Sequence, residues 1–142
     1  MVHEGDVVVL SGSLRPGVDD THFRGLLEAL IKLKACLFVD INPTSYWTAL
    51  SFRPLVIKPN FDELQKVIGK ALPDHHAIAT AAKALTQDGA NVVLVNLGPD
   101  GAIAVSKNEA SALWRFDAKF DLPTVMPSIL GMRSMLDLSK PA

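Results

Sequence analysis

Three short stretches of the chain carry residue types that handle anions and hydrated cations. Lys58-Pro59-Asn60-Phe61-Asp62-Glu63 sets an ammonium, an amide and a carboxylate close together. Mg²⁺ keeps several of its waters and takes few protein ligands, so Asn60 and Glu63 suffice to hold it near phosphates, through water. Lys58 would then neutralise phosphate charge. The same spacing also has a local reading. Asn at a helix N-cap with Glu three residues on is a capping box, and Pro59 fixes the entry direction. The two readings are compatible, because one Asn–Glu pair serves both.

Ser11-Gly12-Ser13-Leu14-Arg15-Pro16-Gly17 is the second stretch. Its glycines let the backbone approach a ligand closely, with amides facing an anion. Equally, it is a loop that needs positive φ at Gly12 and Gly17. No Gly-Lys-Ser/Thr follows, so it is not a Walker-type phosphate loop. The third stretch, Asn96-Leu97-Gly98-Pro99-Asp100-Gly101, has the composition of a tight turn between strands. Functionally, such a turn would lie over triphosphate oxygens and offer backbone N–H groups.

Regular elements must position these stretches. The run Asp6-Val7-Val8-Val9-Leu10 predicts a strand buried on both faces. Asp19, Asp20 and Thr21 offer N-caps for a helix whose Phe23, Leu26, Leu27, Leu30 and Ile31 recur at helical spacing. Residues 35–40 read as a second buried strand, 44–50 as a short helix and 54–57 as a third strand. Asn60 opens a helix with Phe61, Leu64, Val67 and Ile68 on one face. Asp74 caps another, carrying Ile78, Ala81, Ala82 and Leu85, which Asp88-Gly89 stops. Residues 91–96 form a fourth strand, and 102–106 with 112–116 form a late hairpin.

That order predicts an α/β fold: a mostly parallel sheet flanked by helices, with an antiparallel edge. Ligands of such sheets bind outside the carboxyl ends of the strands, where all three stretches fall.

Composition narrows the classes. With 142 residues, 49% of them apolar, the chain makes one domain. Its 14 basic and 15 acidic residues leave a net charge of −1, with no basic run, which argues against nucleic acid. The apolar runs are too short for a membrane span, and the acidic N-terminus is no signal peptide. Cys36 is the single cysteine, so no internal disulfide forms and a reducing, cytoplasmic setting is expected. Its neighbours make it a buried filler.

His3, His22, His75 and His76 read as surface residues. His75 and His76 would point to different helix faces, against paired metal ligation. Trp47 and Trp114 are expected to pack on the core. The first turn is not Gly-x-Gly-x-x-Gly, which argues against a dinucleotide-binding domain.

Three strings carry a resemblance by their order and spacing: Val8-Val9-Leu10-Ser11-Gly12-Ser13-Leu14-Arg15-Pro16-Gly17, Leu55-Val56-Ile57-Lys58-Pro59-Asn60-Phe61-Asp62-Glu63-Leu64, and Val92-Val93-Leu94-Val95-Asn96-Leu97-Gly98-Pro99-Asp100-Gly101-Ala102. Together they resemble the ribokinase-like carbohydrate kinases of the PfkB family, nearest the branch of 1-phosphofructokinase and tagatose-6-phosphate kinase. The resemblance is strongest over 5–116, and 117–142 is a divergent tail. It implies that 1–142 is a single partial ribokinase-like domain, incomplete on its N-terminal side.

By that resemblance the cofactors are ATP and Mg²⁺. Asn60 and Glu63 would place the cation and phosphates, and Lys58 would face the phosphates. Asn96, Gly98 and Gly101 would lie along the ATP site. Gly12 would border the cleft between sugar and nucleotide. Arg15 stands where these kinases commonly have proline, and Asn96 where they have Ser or Thr.

A larger departure comes late. The family carries a Gly-Ala-Gly-Asp motif whose Asp is the general base, whereas this chain reads Ser128-Ile129-Leu130-Gly131-Met132-Arg133-Ser134-Met135-Leu136. No Asp occupies the catalytic place, and Arg133 falls near it.

The implied function is ATP-dependent phosphorylation of a phosphorylated ketohexose: fructose-1-phosphate, fructose-6-phosphate or tagatose-6-phosphate. This chain would supply mainly the nucleotide side and be weak or inactive alone, since loss of a general base alone costs about 10²–10⁴-fold. The alternative is a non-catalytic nucleotide-binding or interaction remnant. Expected partners are ATP, the sugar phosphate, and either a second copy or a complementing N-terminal half, with no nucleic acid and no membrane. A gene fragment, a frameshift or a split gene would each give such a chain.

Overall fold

The computed structural model describes residues 1–107 and the backbone of the strand Ala112–Trp114. In chain order the elements are β1 (Val7–Gly12), α1 (Asp20–Lys32), β2 (Cys36–Ile41), a 3₁₀ turn (Pro43–Ser45), α2 (Tyr46–Leu50), β3 (Val56–Ile57), α3 (Phe61–Ile68), α4 (His75–Gln87), β4 (Val92–Asn96), a 3₁₀ turn (Gly98–Asp100), β5 (Ala102–Ser106) and β6 (Ala112–Trp114).

Local chemistry starts the helices. Asp19 Oδ1 accepts the His22 N–H at 3.0 Å, and Asp74 Oδ1 accepts the Ala77 N–H at 2.7 Å. Each satisfies a donor that has no partner within its helix. The α3 helix ends at Gly69, which takes the left-handed conformation favoured just past a helix.

The six strands lie side by side in chain order. Strands β1 to β4 run parallel, while β5 and β6 are antiparallel additions. Parallel strands laid down in one direction put their crossover helices on one side of the sheet when all connections share one hand. The core follows this rule. Phe23 and Leu27 of α1, Leu50 of α2, Leu64 of α3 and Leu85 of α4 bury together with Leu37, Val39, Ile57, Val93, Val95 and Ile103 of the sheet. The alternate sheet residues Phe38, Val56, Val92, Leu94 and Ala104 form a second cluster on the other face. Period-two alternation thus sends apolar residues to both faces, as buried parallel strands require.

Four expectations need correction. β1 is not buried on both faces: it pairs only with β2 among the described strands, and Val9 is 42% exposed. Trp47 does not pack on the core but stands 51% exposed, while its neighbour Tyr46 is fully buried. Leu26 and Ile31 of α1 are also exposed, leaving Phe23, Leu27 and Leu30 to form the buried stripe. Cys36 is half-buried rather than buried.

The four histidines are exposed. The hairpin is present over Ala102–Ser106 and Ala112–Trp114, and residues 115 and 116 of the expected strand lie outside the described residues. Gly131 and Arg133, and the side chain of Trp114, lie outside the described residues.

Candidate functional site

The carboxyl ends of β1 to β4 make one rim, fixed by the parallel register Gly12↔Ile41 and Val39↔Ile57. Gly12 closes β1, Lys58 follows β3, and Asn96 closes β4. The Lys58 N–H donates to the Val39 carbonyl at 2.9 Å, extending the ladder past the end of β3. Asn60 and Asn96 then form an isolated parallel bridge, in which the Asn96 N–H donates to the Pro59 carbonyl at 3.0 Å. Two of the three stretches are therefore tied together by backbone. Gly12 lies on the same rim with β2 between it and β3, roughly 10 Å away by strand spacing.

Asn60 is the N-cap of α3, and its Oδ1 accepts the Glu63 N–H at 2.8 Å. Glu63 Oε2 accepts the Asn60 N–H, also at 2.8 Å, so the capping box is complete. Only one Glu63 oxygen has this role, and the carboxylate remains half-exposed at the rim.

The turn after β4 is held from within. Asn96 Oδ1 accepts the Gly98 N–H at 2.9 Å, and the Leu97 N–H donates to the Gly101 carbonyl at 2.8 Å. Gly101 has φ 96° and ψ −140°, a conformation open only to glycine. The Gly101 N–H returns to the Gly98 carbonyl at 3.1 Å. The amides of Leu97, Gly98 and Gly101 are thus engaged inside the turn. What Gly98 offers outward is space, since an added Cβ there would meet nothing within 4 Å.

Two rim residues escaped the sequence reading. Asp40, near the end of β2, places Oδ2 2.9 Å from Lys58 Nζ, in a pair with side chains 29% and 14% exposed. A lone carboxylate closing an apolar strand was the available signal. Tyr46 follows the 3₁₀ turn Pro43–Ser45, against which α3 packs. Its residue surface is 0% exposed, and its hydroxyl has no hydrogen-bond partner among the described residues. Burial, then the charges of Glu63 and Asp40, push the phenol far above its ordinary value, with the Ile41 backbone opposing weakly. Tyr46 therefore stays a neutral hydroxyl.

Among the described residues no three or more His, Cys, Asp or Glu side chains gather to hold a metal. This suits Mg²⁺ better than zinc or a caged Ca²⁺, because a hydrated Mg²⁺ needs only one or two carboxylates beside phosphate. Glu63, joined to Asn60 in the capping box, is a donor set of that kind. Beside this rim a cavity of about 250 Å³ opens between Phe61, Ile78 and Leu97, with Asp74, His75 and Asp100 at its edge.

Comparison with known proteins finds a family match over residues 1–118, to the pfkB family carbohydrate kinases. A D-tagatose-1-phosphate kinase from Klebsiella oxytoca is 33% identical over 99 residues, covering 70% of this chain and 33% of that protein. A 1-phosphofructokinase from Bacillus subtilis is 31% identical over 109 residues, covering 77% of this chain and 36% of its own length. Among solved structures, phosphofructokinase-2 from Escherichia coli in complex with fructose-6-phosphate superposes with a TM-score of 0.79 at 26% identity. That match covers 94% of this chain and 46% of the other. The chain spans about a third of the length of the curated relatives it matches. The ribokinase-like architecture expected from the sequence is present. Among the described residues no helix is long and apolar enough to cross a membrane.

Proposed function

Because this chain belongs to the pfkB family of carbohydrate kinases, we propose that it supplies the nucleotide side of an ATP-dependent transfer of phosphate to a sugar phosphate. The observation that carries this reading is the Asn60–Asn96 bridge, which joins the Lys58–Glu63 stretch to the Asn96–Gly101 turn on one rim. Phosphoryl transfer is catalysed mainly by positioning and by neutralising charge, so a polyphosphate site needs a fixed cation, a metal platform and a turn that leaves room.

In this reading Lys58 faces the phosphates, exchanging part of its contact with Asp40 for theirs. Asn60 and Glu63 hold hydrated Mg²⁺, which supplies charge neutralisation when bound. Asn96 shapes the turn, Gly98 and Gly101 let the nucleotide lie close, and Gly12 borders the cleft toward the sugar. The acceptor belongs to the phosphorylated ketohexoses, the class named in the relatives and in the solved phosphofructokinase-2 complex. An enzyme drawing on ATP for sugar metabolism works in the cytoplasm.

A second reading has its own observation. The stretch 128–136 contains no Asp or Glu, so the general base of the family pattern is missing from its place. The chain would then be a nucleotide-binding remnant, or one part of a split kinase completed by an N-terminal half.

Calorimetry with Mg·ATP tests the shared part of both readings: binding is expected, and a folded chain that takes up no heat at millimolar Mg·ATP would sink them. A kinase assay on the chain alone, and mixed with the N-terminal half of a related enzyme, then separates catalyst, split enzyme and remnant.

A further inference from the structure

The starts of α3 and α4 and the turn after β4 enclose the cavity of about 250 Å³. Its walls are the half-buried Phe61 and Leu97 and the buried Leu72 and Ile78. Local hydrogen bonds hold those walls apart. The Leu72 N–H donates to Gln65 Oε1 at 3.0 Å, which fixes the connection between α3 and α4. Asp74 Oδ1 caps α4 at the Ala77 N–H, and Asn96 Oδ1 pins the turn at the Gly98 N–H. The recess is therefore preformed, as ligand pockets commonly are.

Its chemistry narrows what it takes. Water finds few polar partners on apolar walls. An apolar cavity of about 150 Å³ holds a benzene ring, so this one holds a single ring with a short substituent. Charge decides the substituent. Asp74 and Asp100 stand at the edge, and no Lys or Arg is among the lining residues. Asp74 uses one oxygen for its cap, and Asp100 has no side-chain hydrogen bond or ion pair among the described residues. An anionic ring would be repelled, and a plain hydrocarbon would leave both carboxylates unanswered. We propose that this cavity is a binding site for a small organic cation, one apolar ring carrying an ammonium or amidinium group, beside the nucleotide rim and not part of it. The ring displaces water from Phe61, Leu72, Ile78 and Leu97, while the cation's N–H groups donate to the carboxylates of Asp100 and Asp74.

The test is an amide-resolved NMR titration of the full chain with benzamidine, benzyl alcohol and benzoate, three rings that differ in charge. His75 also lines the cavity, so the titrations are run at about pH 8, above the ordinary range of histidine. Benzamidine should saturate on the order of 1 mM, with shifts centred on Phe61, Leu72, Ile78 and Leu97. Benzyl alcohol should bind about fivefold more weakly, and benzoate should not saturate. Asp100→Asn should remove most of the preference for benzamidine over benzyl alcohol, with the urea midpoint unchanged. Saturating Mg·ATP should leave benzamidine bound. No saturable benzamidine binding, benzoate binding as tightly as benzamidine, or shifts centred elsewhere would each overturn the site. Displacement of benzamidine by Mg·ATP would also overturn it, by assigning the cavity to the nucleotide. A chain that binds benzamidine as expected but takes no Mg·ATP would sink the nucleotide reading and leave this site standing.

Discussion

Lys58 Nζ lies 2.9 Å from Asp40 Oδ2, joining the segment after β3 to the end of the neighbouring strand β2. Both side chains are less than a third exposed, so water screens the pair only in part. The ammonium is thereby held at the rim at the mouth of the sheet.

Replacing Asp40 by Asn takes the carboxylate from a half-buried cation. The expected cost is about 1–3 kcal/mol of stability, read from the urea midpoint. A change under about 0.5 kcal/mol would mean that the pair contributes no more than an exposed one.

Glu63→Gln separates the two duties of the α3 start. Glutamine at this position still returns a side-chain oxygen to the Asn60 N–H, so the capping box survives. Stability should stay within about 0.5 kcal/mol of wild type. Mg·ATP affinity should fall about tenfold, through loss of the charge facing the metal. Equal affinities would assign the residue to helix capping alone.

Acid should loosen α1 before the sheet. The backbone N–H of His22, followed by its side chain, holds Asp19 below the ordinary value of 3.8. A carboxyl depressed in the folded state adds stability above its unfolded value and loses it as pH falls through the folded one. Amide exchange in α1 should therefore quicken as pH drops below 3.8, relative to β4 amides in the same sample. Asp19→Asn keeps a capping oxygen and should remove that acid sensitivity. If the variant retains it, the cause lies elsewhere.

β1 presents an unpaired edge among the described strands, with Val9 exposed, and Leu26, Ile31, Leu33 and Trp47 add apolar surface. Such an edge is a template for further pairing. Light scattering should show concentration-dependent association, reduced by Val9→Lys. A monomer at every concentration would contradict this.

What the sequence could reveal depended on the range of the forces involved. The α3 start was legible because Asn60, Pro59 and Glu63 are adjacent in sequence and their hydrogen bonds close locally. Parallel strand order followed from the alternation of strands and helices. Val9 was expected to be buried and is exposed, because an edge and a centre strand read alike when both are valine-rich. Trp47 failed for another reason: α2 has five residues, too few for periodicity to say which of Tyr46 and Trp47 faces inward. Asp40 and Tyr46 were silent because their surroundings arise only when Lys58 reaches the end of β2 and α3 packs on the turn Pro43–Ser45.

The reciprocal cap between Asn60 and Glu63 also bears on how such chains age. A lineage that stops transferring phosphate still needs α3 to begin where it does, so selection for a folded product alone would preserve both side chains. The tetrapeptide can outlive the chemistry. Counting it as a mark of living kinases in other genomes would overestimate their number.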